Sequence, residues 1–516
     1  MSAAELSVVS AVAAESPGAA LLQGVERLSP DFTAAYLERY AVLPLRVGNG
    51  ALLVGTWREA GVDEQALDDL RLAFGAEVEL LRVPEAEARN AIRRAYEEET
   101  SARGLIAALG DGGAYALDRE IPLDDLVSLA NEAPVVRLVN LLLLEALEAR
   151  ASDVHIEGYA HTLRVRYRVD GVLRDAPSPP AHLMPAVVSR LKIMAELDIA
   201  ERRVPQDGRI RLRLQDRQVD VRVSTLPTLH GESIVLRLLD ADSGRAAIDQ
   251  LGMGADTLER FLRVIARPHG IVLATGPTGS GKTTTLYAAV DHVRTGREKI
   301  LTVEDPVEYQ LEGVPQVPVN EKVGVTFATA LRALLRQDPD ILLVGEIRDG
   351  ETAEIATQAA LTGHLVLSTL HTNDAPAALT RLLDLGVAPY LVGSTVEAVL
   401  AQRLVRMICA ACKEEVTVAW PEPADDDAAV AVSPRAAWRG RGCAQCSGSG
   451  YRGRTGIYEL LLVDDELRAE LLRRRGSGEL RRLAVARGMR TLYQDGLRQV
   501  EAGVTTLEEV LRVTRG

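Results

Sequence analysis

Ten residues from Gly276 to Thr285, GPTGSGKTTT, concentrate the most specific chemistry in the chain. Gly276 through Thr283 fit G-x-x-x-x-G-K-[ST], the spacing that curls backbone N–H groups around a phosphate. Gly276, Gly279 and Gly281 allow that curl, and Pro277, Thr278, Ser280 and Thr284 complete the loop. GIVLAT precedes it and KTTTLYAAVDHV follows, so the loop is expected between a buried strand and a helix N-terminus, whose dipole favours an anion. In this pattern Lys282 reaches the β- and γ-phosphates of a nucleotide and Thr283 ligates Mg2+.

Three acids stand at the ends of other apolar runs. LTVEDP carries Glu304 and Asp305, and DPDILLVGE carries Glu346. Ligands of α/β sheets bind beyond the carboxyl ends of the strands, so these acids are expected to converge on the phosphate loop. One can hold Mg2+ and another can orient or deprotonate an attacking water. Each could instead cap a helix or close a turn. Gly345 stands where a magnesium-binding Asp is usual, which moves the acid one position on to Glu346. TGHLVLSTLHT sets His364 and His371 at the two ends of one strand, where either could sense the terminal phosphate or bridge subunits.

Cys409, Cys412, Cys443 and Cys446 form two C-x2-C knuckles with 30 residues between them. Two knuckles turn four thiolates toward one point and make a closed tetrahedral Zn2+ site, with no position left for a reactive water. The reading is therefore structural. Within the gap, EPADDDAAVAVSP is expected to loop out. Disulfides are the alternative, disfavoured in a reducing compartment.

These groups need elements to hold them. A chain of 516 residues, 47% hydrophobic and 26% charged, can build several ordinary cores; at roughly 100–200 residues per domain it should hold three or four. A net charge of -14 and 4% aromatics argue against a general nucleic-acid binder. No run reaches the roughly 18–20 apolar residues that cross a bilayer. The nearest, VVRLVNLLLLEALEA, contains Arg137, Asn140 and Glu145 and reads as a buried amphipathic helix. The first residues lack the basic start of a secretory signal, so a cytoplasmic location is expected.

Residues 1–100 read as an N-terminal α/β docking or regulatory domain, and 101–122 as a glycine-containing linker. Residues 123–242 read as a small α+β domain. There Arg164, Arg166 and Arg168 alternate with Leu163, Val165, Tyr167 and Val169, the period of a half-buried strand. GRIRLRLQDRQVDVRVST repeats the pattern as a hairpin turning near Gln215–Gln218. The arginine face could be merely solvated, or could meet an anion on a partner. SGRAAIDQLGM reads as a hinge. Beyond it GIVLATG, ILTVED, ILLVGE and LVLSTL are the near-continuous apolar strands of a parallel α/β sheet, so 243–516 is expected to be one α/β domain with a cysteine module at 405–450.

The ordered set GPTGSGKTTTLYA, LTVEDPVEY, LRQDPDILLVGEIRDGETA, TGHLVLSTLHTNDA, AQRLVR and the two knuckles resembles the secretion ATPases of the type II secretion and type IV pilus assembly class. ASDVHIE, YRVDGVL and VPQDGRI extend the likeness, which covers about residues 125–516. The resemblance implies a RecA-like P-loop domain behind a PAS-like α+β domain, binding ATP, Mg2+ and Zn2+. It implies a homo-hexamer peripheral to the cytoplasmic face of the inner membrane. It also implies docking on the cytoplasmic domain of an inner-membrane protein, the L component of type II secretion, and on a platform protein, the F component. Lys282 and Thr283 then belong to the Walker A loop, Glu304 and Asp305 to the Asp box, Glu346 to Walker B, and His364 and His371 to the His box. Arg209 and Arg222 match arginines that family members bring to the nucleotide from the neighbouring domain, and Arg332 and Arg336 are weaker candidates for subunit contacts. ILTVEDPVEY and a compact N-terminal domain look more like the secretion motor than the pilus extension motor. The guanine-reading N-K-x-D motif of a signalling GTPase is not matched by NEKV at Asn320.

Overall fold

The computed structural model describes residues 32, 34–48, 51–58, 62–96, 102, 106, 133–214, 217–240, 246–421 and 432–514. The chain divides into two compact units, Met1–Leu238 and Leu239–Gly516. Among the described residues no helix is long and apolar enough to cross a membrane.

The first unit opens with α1 (Ala34–Tyr40), β1 (Val42–Gly48), β2 (Ala51–Thr56), α2 (Glu64–Phe74), β3 (Glu77–Arg82) and α3 (Glu85–Tyr96). β1 and β2 are antiparallel, whereas β3 returns parallel to β2 after the α2 crossover. Asp63 starts α2 by accepting the Gln65 N–H at 3.0 Å. Leu37, Leu43, Leu52, Val54, Leu70 and Ile92 close a small core.

The same unit continues with α4 (Ala133–Glu148), β4 (Ala151–Gly158), β5 (Leu163–Val169), β6 (Val172–Asp175), α5 (Met184–Met194), β7 (Gln206–Leu214), β8 (Arg217–Thr228) and β9 (Gly231–Asp240). The strands form one six-stranded sheet in the order β6-β5-β4-β9-β8-β7. The alternation in β5 places Leu163, Val165 and Tyr167 in the core, where they meet Leu138 and Leu142 of the expected amphipathic helix. β7 and β8 pair as the expected hairpin, but the ladder runs to Leu214↔Arg217, so Arg217 and Gln218 of the expected turn belong to β8. The linker reading needs correction at its start. Ala102 is fully buried in this core, with its N–H donated to Glu145 Oε1 at 2.8 Å, and Ile106 packs on the same cluster. The other residues of 101–122 lie outside the described residues.

The second unit contains α6 (Ala255–Ile265), β10 (Gly270–Thr275), α7 (Lys282–Val293), β11 (Ile300–Glu304), β12 (Gln316–Pro318), α8 (Phe327–Leu334), β13 (Ile341–Val344), α9 (Gly350–Leu361), β14 (Leu365–Leu370), α10 (Ala375–Asp384), α11 (Pro389–Thr395) and β15 (Val396–Ile408). After these come β16 (Lys413–Pro421), β17 (Val432–Gly440), β18 (Tyr451–Leu462), α12 (Asp465–Leu472), α13 (Ser477–Ala486), α14 (Leu492–Glu501) and α15 (Leu507–Thr514). Seven strands form a sheet in the order β12-β11-β13-β14-β10-β15-β18. All neighbours are parallel except β18 beside β15. Both faces are covered, which is why β10, β11, β13 and β14 are buried along their whole length.

Two expectations about connections change here. From Ala246 the hinge segment is anchored: Ile248 and Leu251 are buried against α6 and α7, and the Leu251 carbonyl accepts the Tyr458 hydroxyl at 2.8 Å. The long gap between the cysteine knuckles is largely a two-stranded ribbon. β16 pairs with β17 from Lys413↔Gly440 to Pro421↔Val432. Ser433 and Pro434 of the expected flexible stretch lie in β17, while 422–431 lie outside the described residues.

Candidate functional site

Parallel order puts the carboxyl ends of β11, β13, β14, β10 and β15 along one edge of the sheet. The register fixes who meets whom. Thr275 pairs with Leu370 and Val344 with Ser368, so the loops at 276, 371 and 345 leave side by side. The phosphate loop therefore emerges from the middle of the edge.

Gly276 adopts φ 148°, and a Cβ there would lie 2.5 Å from the Gln402 carbonyl oxygen and 2.7 Å from Ser280 Oγ. Only glycine lets the loop press against β15 this closely. Ser280 is buried, and its Oγ has no hydrogen-bond partner among the described residues. Lys282 folds back under the loop, with Nζ donating to the carbonyls of Gly276 at 2.7 Å and Pro277 at 3.2 Å. Burial lowers the Lys282 ammonium to about 8; Glu346 opposes that shift and Arg403 reinforces it. No side chain among the described residues caps α7. A buried cation, an orphaned hydroxyl and an uncapped helix N-terminus together fit a polyphosphate chain. Pro277, Thr278, Gly279 and Thr283 lie exposed around this cradle and Thr284 is half-buried.

Glu346 organises the space beside the loop. It is ion-paired with Arg348, and His371 Nε2 lies 3.1 Å from its other oxygen. Arg348 also reaches Asp305 at 3.3 Å. Glu346, Asp305, Lys282 and His371 are thus brought together. At Gly345 the backbone passes close to β11: a Cβ there would stand 3.3 Å from both Glu304 Cα and the Val303 carbonyl oxygen.

Glu304 has a different setting. It is 3% exposed, and its carboxylate accepts from Thr302 Oγ1 at 2.6 Å, Gln316 Nε2 at 3.0 Å and the Tyr287 hydroxyl of α7. Three donors engage it within the layer between sheet and helix. His364 lies at the opposite edge from His371. Its carbonyl accepts the N–H of Gly270 at 3.1 Å, and its Nδ1 lies 2.9 Å from the Ala359 carbonyl. The six residues of β14 separate it from the loop, roughly 20 Å at about 3.3 Å per residue. The structure does not bring it to the phosphate site.

The arginines divide similarly. Arg164 pairs with Asp175 at 2.8 Å, Arg166 with Glu157 at 2.6 Å and Arg168 with Asp153 at 3.6 Å, so that strand's charge is met inside its own sheet. Arg332 pairs with Glu351 at 2.7 Å, and Arg336 donates to the Arg332 carbonyl at 2.8 Å. Arg209 and Arg222 are direct cross-strand partners on β7 and β8, and Arg209 is exposed. Like charges directly opposite are unfavourable in a sheet.

Sequence reading passed over Tyr287, Gln316, Arg348, Gln402 and Arg403. Arg348 could have been found two residues beyond Glu346. Gln402 and Arg403 lie in the AQRLVR segment of the family likeness, but their place at the site could not be read there, because only the register of β15 on β10 brings that segment under the phosphate loop.

The four cysteine sulfurs lie within 4.8 Å of one another. Cys409 and Cys443 are 3.9 Å apart, Cys412 and Cys446 3.8 Å, and Cys443 and Cys446 3.7 Å, too far for disulfides. Ligands held about 2.3 Å from a tetrahedral metal stand about 3.8 Å apart, so the set fits such an ion. Backbone N–H groups of Cys443 and Gly450 reach Cys446 Sγ at 3.1 and 3.3 Å. Burial pushes the Cys446 thiol up, and these N–H groups together with the neighbouring cysteines bring it down, while burial pushes the Cys412 thiol up; a shared cation would draw all four toward the thiolate.

Comparisons with known proteins agree with this geometry. Residues 128–512 match the family described as type II/IV secretion system protein, and residues 18–102 match the MshEN domain. The type II secretion system protein E of Xanthomonas campestris is 50% identical over 93% of this chain and 84% of its own length. The type II secretion system ATPase E of Vibrio cholerae is 46% identical over 92% of this chain and 96% of its own. Among solved structures, the pilus retraction motor PilT with bound ADP is 25% identical, with TM-score 0.51 over 73% of this chain and 96% of that one. The Legionella pneumophila ATPase DotB shares the fold with TM-score 0.54 at 21% identity, over 73% and 95% of the two chains. The chain belongs to the type II/IV secretion system protein family, as an ATPase built on that family's phosphate-loop domain.

Proposed function

We propose that the protein is the hexameric ATP-hydrolysing motor of type II secretion, working at the cytoplasmic face of the inner membrane to drive pseudopilus assembly and protein export. The observation that supports hydrolysis, beyond binding, is the Glu346 cluster beside Lys282. A carboxylate flanked by His371 and Arg348 at the edge of a phosphate cradle can accept a proton from water and orient its attack on the terminal phosphorus. Lys282 bears on the bridging and terminal phosphate oxygens. Thr283 and Asp305, which Arg348 links to Glu346, would hold Mg2+, and the ion would neutralise charge on the β- and γ-phosphates. Glu304 supports the site through Tyr287, which belongs to the same helix as Lys282. Arg209 and Arg222 act on the nucleotide from the arginine-faced sheet of the first unit. The four cysteines would hold Zn2+, which ties the two knuckles together. The N-terminal domain docks on the cytoplasmic part of an inner-membrane L component, and the motor acts on an F-type platform protein.

The first test is Glu346→Gln in the full chain. ATP hydrolysis should fall by about 10²–10⁴-fold while a fluorescent ATP analogue still binds. Wild-type turnover in that variant would end the assignment of Glu346. Pilus extension is the second reading, because the tetracysteine module is similar to that of both assembly motors, and it leaves the chemistry of the site unchanged.

A further inference from the structure

Arg403 occupies a place that neither the phosphate-loop pattern nor the acids explain. It follows Gln402 on β15, whose register sets Ala401 beside Thr275, so both side chains lie just past the end of β10. A Cβ on Gly276 would be 3.0 Å from Arg403 Nη1, which puts the guanidinium directly against the first residue of the loop. Nη1 donates to the Gln402 carbonyl at 3.1 Å. Nη2 crosses the mouth of β10 and donates to the Asn373 carbonyl at 3.0 Å, on the turn two residues beyond His371. The arginine therefore joins three things: the floor of the phosphate loop, strand β15, and the turn that carries the histidine of the Glu346 cluster.

Its charge is unusual. The three oxygens it bonds, the carbonyls of Gln402 and Asn373 and the Asn373 Oδ1, are neutral, and no carboxylate among the described residues lies within ion-pair distance; Glu459 and Asp374 act on it only from farther away. Burial depresses this guanidinium, and its charge bears on Lys282 in turn. A half-buried cation without an acid partner, set behind a second buried cation, is unfavourable unless an anion occupies the space they share. Gln402 fixes the arrangement from below. It is buried, its Oε1 accepts the Thr285 hydroxyl of α7 at 2.7 Å, and its amide would clash with any side chain at Gly281.

We infer that Arg403 is a further positioning residue of the nucleotide site, strapping Gly276 to the His371–Asp374 turn and supplying positive charge behind the phosphate chain. This rests on the nucleotide reading of the loop. It makes two separable demands: the charge serves polyphosphate binding, and the fork that reaches both carbonyls serves alignment of His371 and Glu346.

The experiment compares full-length wild type, Arg403→Gln and Arg403→Lys, with Lys282→Ala as the control for the loop itself. Binding of fluorescent ATP and ADP analogues and steady-state ATP turnover are measured on each. Arg403→Gln should bind both nucleotides about tenfold more weakly and lose turnover. Arg403→Lys should restore most of the binding, because the charge returns, while turnover stays low because a lysine cannot bridge Gln402 and Asn373. A merely structural role would lower thermal stability in both variants and would not separate binding from turnover. The inference falls if Arg403→Gln binds and hydrolyses like wild type, or if Arg403→Lys and Arg403→Gln lose binding equally. If wild type itself fails to bind the analogue, the nucleotide reading falls instead.

Discussion

Lys282 shows how much one buried charge can report. An ordinary lysine titrates near 10.4, whereas burial holds this one at about 8. The folded chain penalises the protonated form. The lysine's contribution to stability is therefore least favourable below pH 8, and it improves as pH rises from 8 toward 10.4. Nucleotide binding runs the other way. Only the ammonium attracts phosphate, so affinity should weaken as pH rises through about 8, approaching tenfold per unit. Above that pH, binding should take up a proton. Titration calorimetry in buffers of different ionisation enthalpy measures that uptake, and an affinity flat from pH 7 to 9.5 would contradict it.

At the scale of elements, a buried carboxylate joins the last helix to β15. Glu509 has a fully buried side chain, paired with Arg406 at 2.8 Å and Arg512 at 2.6 Å; Arg406 also stacks on Tyr451, 4.1 Å from the ring centre. Burial pushes the carboxyl up, but the two arginines prevail and hold it at about 2. The sign is that of a depressed acid: the stabilisation is present above about 4.5 and is lost as pH falls toward 2. Glu509→Gln leaves two arginines unmatched, and should cost about 3–5 kcal/mol in denaturant unfolding and blunt the acid transition. The neighbouring cysteine module makes its own prediction. Wild type should carry one zinc per chain by atomic absorption, and Cys443→Ser should lose it, with new protease cleavage in the β16–β17 ribbon. Stoichiometric metal in that variant would refute a four-cysteine site.

At the scale of the whole molecule, catalysis is proposed to be shared between copies. Arg209 and Arg222 pair across the β7–β8 hairpin, and both are proposed to act on the nucleotide of another chain. Arg209→Ala and Lys282→Ala should each be inactive alone. Mixed, they should recover part of the wild-type ATPase rate, because some interfaces then combine an intact loop with an intact arginine. A mixture that stays inactive while mixed oligomers form would argue that each site is complete within one chain.

The sequence by itself determined the parts whose meaning lies in local spacing. The phosphate loop, the apolar parallel strands, the arginine alternation of β5 and the paired knuckles are all short-range patterns, with fixed periods or fixed ligand intervals. Only the tertiary structure decided which of the nominated residues meet. Glu304 and Glu346 look alike as acids ending apolar strands. Side-chain direction sends Glu304 to Tyr287 and Glu346 to His371 and Arg348. His364 and His371 look alike until strand polarity puts them at opposite edges of the sheet. Arg403 carries no motif of its own as a phosphate residue. Its role arises because parallel pairing sets Ala401 beside Thr275, a contact between residues 126 positions apart that no local period encodes.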